Sequence, residues 1–322
     1  MSDASVMRKC QFGWESQWGT SVTDTIKLLG ITDISFTPEH ETRRLPDLRG
    51  SMAPSYKAVL VKRAGAGKFS GTLYHEMLNY MLENMFGAAS PSGTGPYVRA
   101  YTGPLGTVPT RKPWTLYYGT SSGTIEKALG VLITKLTIKQ EAWSECTFDA
   151  EFVAQDYATA SFASLSDTTP TVITGDQWAV TLDVVGGTLG STAVTTSSLG
   201  FEYTIMAPIA LIPHLGSLVA ATYAQDRWDA SLKLDLELNS TAKAQVDALY
   251  PQTAAIEKQI RLTATASASV ITRLDYAGHL NAPEAVPDKD GYQMVSLESE
   301  AGYNTTMSAY IAAQTTNGIS SI

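Results

Sequence analysis

Few residues of this 322-residue chain stand in patterns that do chemistry. Residues 119–123, GTSSG, have the G-x-S-x-G spacing that lifts a nucleophilic serine on a strand-to-helix turn. The segment that follows, TIEKALGVLI, reads as another strand, so the required helix is missing and a Gly/Ser turn is expected. His75 opens HEMLN, which begins like the zinc motif H-E-x-x-H but lacks the second histidine; its role is to start a helix. His40, His75, His214 and His279 fall in four different segments, with no acid or cysteine partner recurring beside them. RAGAGKFSG is glycine-rich but lacks the Gly-Lys-Ser/Thr ending of a phosphate loop, and reads as a flexible base entering a strand. Cys10 and Cys146 show no metal-ligand spacing and read as reduced thiols of a chain made in a cytosol. The expectation is a protein that is not an enzyme and holds no metal or cofactor.

Composition narrows the class. With 44% hydrophobic and 17% charged residues, the chain is globular. No apolar run approaches the ~20 residues of a membrane helix. The opening MSDASVMRKCQFGWESQWGT has no apolar signal core, so no membrane contact or secretion is expected. The sequons at Asn239 and Asn304 then carry no meaning. The net charge of −8 is uneven, with 16 basic and 15 acidic side chains in 1–158 against 7 and 16 in 159–322. An acidic chain argues against tight DNA binding, which needs cations to neutralise phosphates. It leaves room for a surface that DNA passes without sticking.

The elements that must position any site recur along the chain. GKFSGTLY reads as a strand and runs into HEMLNYMLENMFG, a helix with Leu78, Leu82, Met85 and Phe86 on one face and a stop at Gly87. WDASLKLDLEL likewise runs into NSTAKAQVDALYP, with Ala242, Val246, Leu249 and Tyr250 on one face before Pro251. The helix positions are offset by 164 residues. LRGSMAPSY (48–56) and HLGSLVAATY (214–223) share a Gly-Ser-apolar element whose glycines, Gly50 and Gly216, are offset by 166. WTLYYGT, KALGVLITKLTIKQEA and WSECTFDAEFVAQ find counterparts, in order, in IRLTATA, ITRLDYAGHLNAPEA and GYQMVSLESEAGY. We read an internal duplication. Its units are 1–158 and 159–322, each a mainly β, antiparallel α+β arrangement with one short helix. The first carries a long basic loop (40–68) and an irregular Pro/Gly-rich insertion (88–113). A Ser/Thr-rich joint, roughly 156–198, includes a strand, WAVTLDVV.

Alternation fixes the strand faces. Leu232, Leu234, Leu236 and Leu238 oppose Lys233, Asp235 and Glu237. Phe148 and Phe152 oppose Thr147, Asp149 and Glu151; Leu136 and Ile138 oppose Lys135, Thr137 and Lys139. Each sheet has an apolar face for the helix to cover and a charged face in water.

WESQWGT near the start, and the run ITDISFTPEHETRRLPDLRGSMAPSYKAVLVKRAGAGKFSGTLYHEMLNYMLENMFGAASPSGTGPY, resemble the major tail tube proteins of long-tailed (siphovirus-like) bacteriophages. The resemblance covers roughly 13–155; beyond that it rests on the repeat. It implies β-sandwich-like units with a flanking helix, whose strands join those of neighbours into a closed β-barrel ring. Tandem units imply a homotrimer with a pseudo-sixfold ring. Rings stack into the virion tail, made in the host cytoplasm. The partners implied are the chain itself, the tail terminator, the tape measure and the baseplate or distal tail proteins, with double-stranded DNA passing through unbound. Gly50, Ser51, Tyr56, Gly216, Ser217 and Tyr223 would be stacking-loop residues. Arg43, Arg44 and Arg49, with Lys57, Lys62, Arg63 and Lys68, would form a basic arm against an acidic neighbour. Asp149, Glu151, Asp235 and Glu237 would line the lumen. The alternatives are a tail terminator or minor tail protein, or a carbohydrate-binding adhesion module built on Trp114, Trp143, Trp178 and Trp228. Most of these tryptophans fall where core anchoring is the commoner role.

Overall fold

The computed structural model describes residues 8–45, 57–120, 123–247, 256–281, 288–289 and 292–320. The first half holds β1 (Arg8–Trp14), β2 (Ile26–Lys27), β3 (Ile31–Leu45), β4 (Lys57–Thr72), α1 (His75–Phe86) and β5 (Tyr97–Thr102). They are followed by β6 (Trp114–Thr120), β7 (Ile125–Glu141), β8 (Thr147–Ala154) and β9 (Asp156–Thr159). The second half holds β10 (Trp178–Val184), β11 (Ser198–Met206), β12 (Ile209–Ile212), β13 (Thr222–Gln225), β14 (Asp229–Glu237) and α2 (Ser240–Asp247). It closes with β15 (Ile256–Ser267), β16 (Val270–Leu280), β17 (Asp288–Lys289), β18 (Tyr292–Ala301) and β19 (Ile311–Asn317). The mainly β expectation holds.

Ladder pairings are antiparallel throughout. One layer runs β3-β4-β8-β7-β11-β14-β18. The second layer is built from β2-β1-β6-β7-β9 and from β10-β15-β16-β19-β5. β7 belongs to both layers: its start pairs with β6 and β9, its end with β8 and β11. It turns between them at Gly130, whose φ of 63° and contact with the Trp18 indole leave no room for a side chain. Trp18 Nε1 donates to the Gly130 carbonyl at 2.9 Å, and the buried Glu15 carboxylate accepts from the Gly130 N–H at 2.8 Å. The WESQWGT segment therefore fixes the bend. In the chain the sheet is open, and β3 pairs with β4 alone among the described residues.

The alternation predicted for β8 and β14 appears as strictly alternating buried and more exposed positions over most of each strand. Phe69, Phe148, Phe152, Leu232, Leu234 and Leu236 turn inward. The second layer closes over them, with Phe69 against Trp114 and Trp178 edge-on to Phe201, centroids 4.8 Å apart.

Helix α1 departs from expectation. It ends at Gly87 as read, but nine of its twelve residues are buried, polar ones included, because it lies between β7 and the later strands β16 and β19. Each buried polar side chain of the helix finds at least one partner, as burial requires, although the Asn79 amide nitrogen is left without one. Asn84 accepts from the Ile133 N–H at 2.7 Å and donates to the Val131 and Lys112 carbonyls at 3.0 Å. Glu83 sits 3.6 Å from Arg99 and 3.3 Å from Lys112. Asn79 pairs with Thr315. In α2 only Ala242 is buried and Val246 is partly so; Leu249 and Tyr250 lie outside the described residues.

The 88–113 insertion is not merely irregular. It supplies β5, which pairs with β19, while buried Arg99 donates to the Ile319 carbonyl at 2.7 Å. Arg111, also buried, donates to the carbonyls of Ile133 (2.7 Å) and Ala207 (2.8 Å) and to Gln225 (3.1 Å). The insertion clamps early strands to late ones.

His75 contacts Thr272 at 2.8 Å and Gln177 at 3.1 Å. Burial lowers its imidazole pKa, partly offset by the Gln177 hydrogen bond and the Glu76 charge. The unfolded chain then takes up a proton the folded chain does not, so stability falls as pH drops below about 6.5. Urea unfolding should show a loss of at most about 1.4 kcal/mol per pH unit from this group. His75→Gln should flatten the slope; an unchanged slope contradicts the assignment.

Candidate functional site

The site is a surface of three parts: one sheet face and the two ends of its strands. The face is the polar side of β3-β4-β8-β7-β11-β14-β18. Cross-strand registers lay charges in rows. One row runs Lys68, Glu151, Lys135; another runs Thr147, Lys139, Glu202, Lys233, Glu298. Between them Asp149 stands beside Thr137, which hydrogen-bonds Thr204 at 3.0 Å. Opposite charges meet at Lys135–Glu151 (3.5 Å) and Lys139–Glu202 (3.4 Å). Asp235 accepts from Ser296.

The structure therefore brings Asp149, Glu151, Asp235 and Glu237 onto one face of one sheet. Carboxylates dominate it: Asp33, Glu141, Glu202, Asp229, Glu298 and Glu300 join those four, against Lys68, Lys135, Lys139 and Lys233. Sequence reasoning missed the β11 and β18 contributions, although alternation through FEYTI and MVSLESE carried the signal.

At one end of the strands two hairpins project. The segment 40–68 read as a loop is a β-hairpin over its described part, with Leu45 paired to Lys57. Arg43 bonds Glu41 at 2.9 Å and Lys62 bonds Glu39 at 3.0 Å, both pairs largely in water. Arg44 is exposed, and Lys68 belongs to the polar face. Arg49, Gly50, Ser51 and Tyr56 lie outside the described residues. The second hairpin, β12–β13, carries Gly216 at φ 88° with open space around it, and Ser217 bonded to Val219. Leu215 is fully exposed and Leu218 half-exposed, an apolar tip where the first hairpin is basic. Tyr223 is not free: its ring packs on Trp18, centroids 5.1 Å apart. The two hairpins touch, as the Arg63 N–H donates to the Leu218 carbonyl at 2.7 Å, while the Arg63 side chain pairs with Asp156 of β9 at 2.7 Å.

The opposite end carries an acidic patch at the β7–β8 turn. Glu141, Glu145 and Asp176 are exposed around the β7–β8 turn, whose Trp143 is fully exposed at φ 64°. Trp114, Trp178 and Trp228 are buried, as core anchors should be.

The enzyme-like patterns do not converge. GTSSG ends β6 and leads into β7, as expected of a hairpin, with residues 121–122 outside the described set. Among the described residues no group of His, Cys, Asp and Glu could hold a metal ion, and no helix is long and apolar enough to cross a membrane. Cys10 and Cys146 are free and buried; burial pushes the Cys10 thiol up to about 12 and raises Cys146 as well. Neither forms a thiolate at neutral pH.

A family model described as phage tail tube protein matches residues 8–301. No curated protein matches the chain.

The polar face is solvated, so its ion pairs add little to folding. Glu202→Gln and Lys139→Met, alone or together, should change the unfolding free energy by less than about 1 kcal/mol. A loss above about 2 kcal/mol would mean that the face is held for stability.

Proposed function

The chain belongs to the phage tail tube protein family, and on that premise we propose that it polymerises as stacked trimeric rings forming the hollow tail conduit for DNA. It is a structural protein of the virion tail. The observation that carries the finer reading is the pairing of β7 with β11.

Strand neighbours support the duplication. In 1–158 the pairings run β1-β6-β7-β9 and β3-β4-β8-β7. In 159–322 they run β10-β15-β16-β19 and β11-β14-β18-β16. The β7–β11 ladder thus joins the last strand of one unit's sheet to the first strand of the next. β3, the counterpart of β11, has no such partner among the described residues of the chain. An unpaired edge is a template for another strand, and the same head-to-tail step between chains closes a ring. Two units per chain make three chains sufficient for six lobes.

Closure places the polar face on the inside of the barrel. Its excess of carboxylates repels phosphates, and its interspersed lysines keep the field moderate. The basic β3–β4 arm, with Arg43, Arg44 and Arg49, and the apolar β12–β13 tip at Gly216 and Ser217 stack on the acidic end of the next ring. The tail terminator, tape measure and distal tail proteins bind the same ends and bore. The long-tailed, siphovirus-like type is part of this reading.

Replacing Asp149, Glu151, Asp235 and Glu237 by lysine tests the conduit. Tubes should still assemble, because these side chains add little to the fold, but DNA ejection from phage carrying them should slow on the order of tenfold or more. Ejection at the normal rate would sink the lumen assignment. Arg43, Arg44 and Arg49 changed together to serine should slow polymerisation and remove its salt dependence. Unchanged assembly kinetics would exclude the arm.

A further inference from the structure

Two grooves occupy matching places in the fold and differ in one respect. Each lies between the start of an outer-layer strand and the start of a face strand. In the second half it is bounded by Trp178 and Val180 of β10, Thr195, and Ser198–Phe201 of β11. In the first half it is bounded by Arg8–Cys10 of β1, Lys27–Gly30 and Ile31–Ile34 at the start of β3. The correspondence is fixed by register. Val180 pairs with Leu262 as Phe12 pairs with Leu116, and Phe201 pairs with Leu234 as Ile34 pairs with Phe69.

The second-half groove is filled. Gln140, Glu141 and Ala142, the end of β7 and the turn after it, complete its lining and leave only about 70 Å³. Gln140 accepts from the Trp178 indole N–H at 2.9 Å, and the Ala142 N–H donates to Leu199 at 2.8 Å. Among the described residues the first-half groove has no such strand end, and its volume is about 640 Å³. Its mouth is basic: Arg8 and Lys9 are exposed, and Lys27 is paired with Asp167. Asp33 is the acidic residue of its lining.

The piece that fits is set by the same pattern. β17 pairs with the start of β18, so it holds the place in the second half that the end of β7 holds in the first. The sequence around β17, EAVPDKD, has Glu284, Asp288 and Asp290 against Lys289; Glu284 and Asp290 lie outside the described residues. We propose that the groove beside β1 and β3 is a docking site for the acidic β17 segment of a second copy of this chain. It seats there as the end of β7 seats beside Trp178, with its carboxylates complementing Arg8 and Lys9. This rests on the ring reading and adds the lock that sets the register of each chain on the next. Opposite charges at such a contact steer encounter and penalise wrong registers.

The test uses the full-length chain. Arg8→Glu with Lys9→Glu should slow assembly, followed by light scattering, on the order of tenfold, with an unaltered thermal melt. Asp288→Lys with Asp290→Lys should do the same, and all four changes in one chain should restore assembly. Lys9→Cys with Asp288→Cys should give disulfide-linked multimers when assembled tubes are oxidised, against a background of two buried native thiols. Tubes that form at the normal rate with the reversed charges, or that contain no cross-link, overturn the groove and leave the ring reading intact. Cross-links confined to unassembled dimers overturn it too. A chain that forms neither rings nor tubes overturns both.

Discussion

The architecture hangs on one strand that must serve two layers. β7 is 17 residues long, too long to stay flat in a twisted sheet, and it has partners on both edges in both layers. Its bend at Gly130 is held by a carboxylate and an indole buried beside it. Glu15 accepts from the N–H groups of Gly130 and Gly19 and from the Thr115 hydroxyl. Burial raises its pKa, and those hydrogen bonds oppose the shift. The bend sends the second part of β7 onto the face layer, where its edge is free to receive β11. The joining of the two halves follows from that geometry.

That joining shapes the surface chemistry. An antiparallel sheet with one apolar and one polar side buries the first against a second layer and leaves the second to water. The apolar side is closed by β1, β6, β10, β15 and a helix buried on nearly all sides. The polar side is then free to carry charge at little cost to folding, since exposed pairs such as Lys139–Glu202 are weak. At one margin of the face layer, among the described residues, β3 has a strand neighbour on one edge only. Natural proteins blunt or cover such edges; here the edge borders a groove with a basic mouth.

Local pattern was legible in the sequence, and long-range placement was not. Alternation gave β8 and β14 their faces because each side chain in a strand has only two places to go. Gly87 gave the end of α1 because the chain there takes a positive φ. By contrast, the polar residues of α1 look like a solvent face in sequence. They are buried because Thr272, Thr315, Arg99 and Lys112 come from distant segments to satisfy them. The 88–113 insertion looks irregular because the partner of β5 lies about 215 residues later. Tyr223 reads as a loop residue, and only the fold brings Trp18 beneath it. Trp143 looks like a core anchor, yet the left-handed turn that follows β7 turns it outward.

The most direct test of the account is electron cryomicroscopy of assembled tubes at a resolution that traces strands, viewed down the axis. The account predicts rings of three chains with six similar lobes, β3 of each chain beside β17 of the next, and the carboxylate-rich face toward the bore. Rings of six whole chains, or a β3 edge left unpaired with that face on the outside, would contradict it.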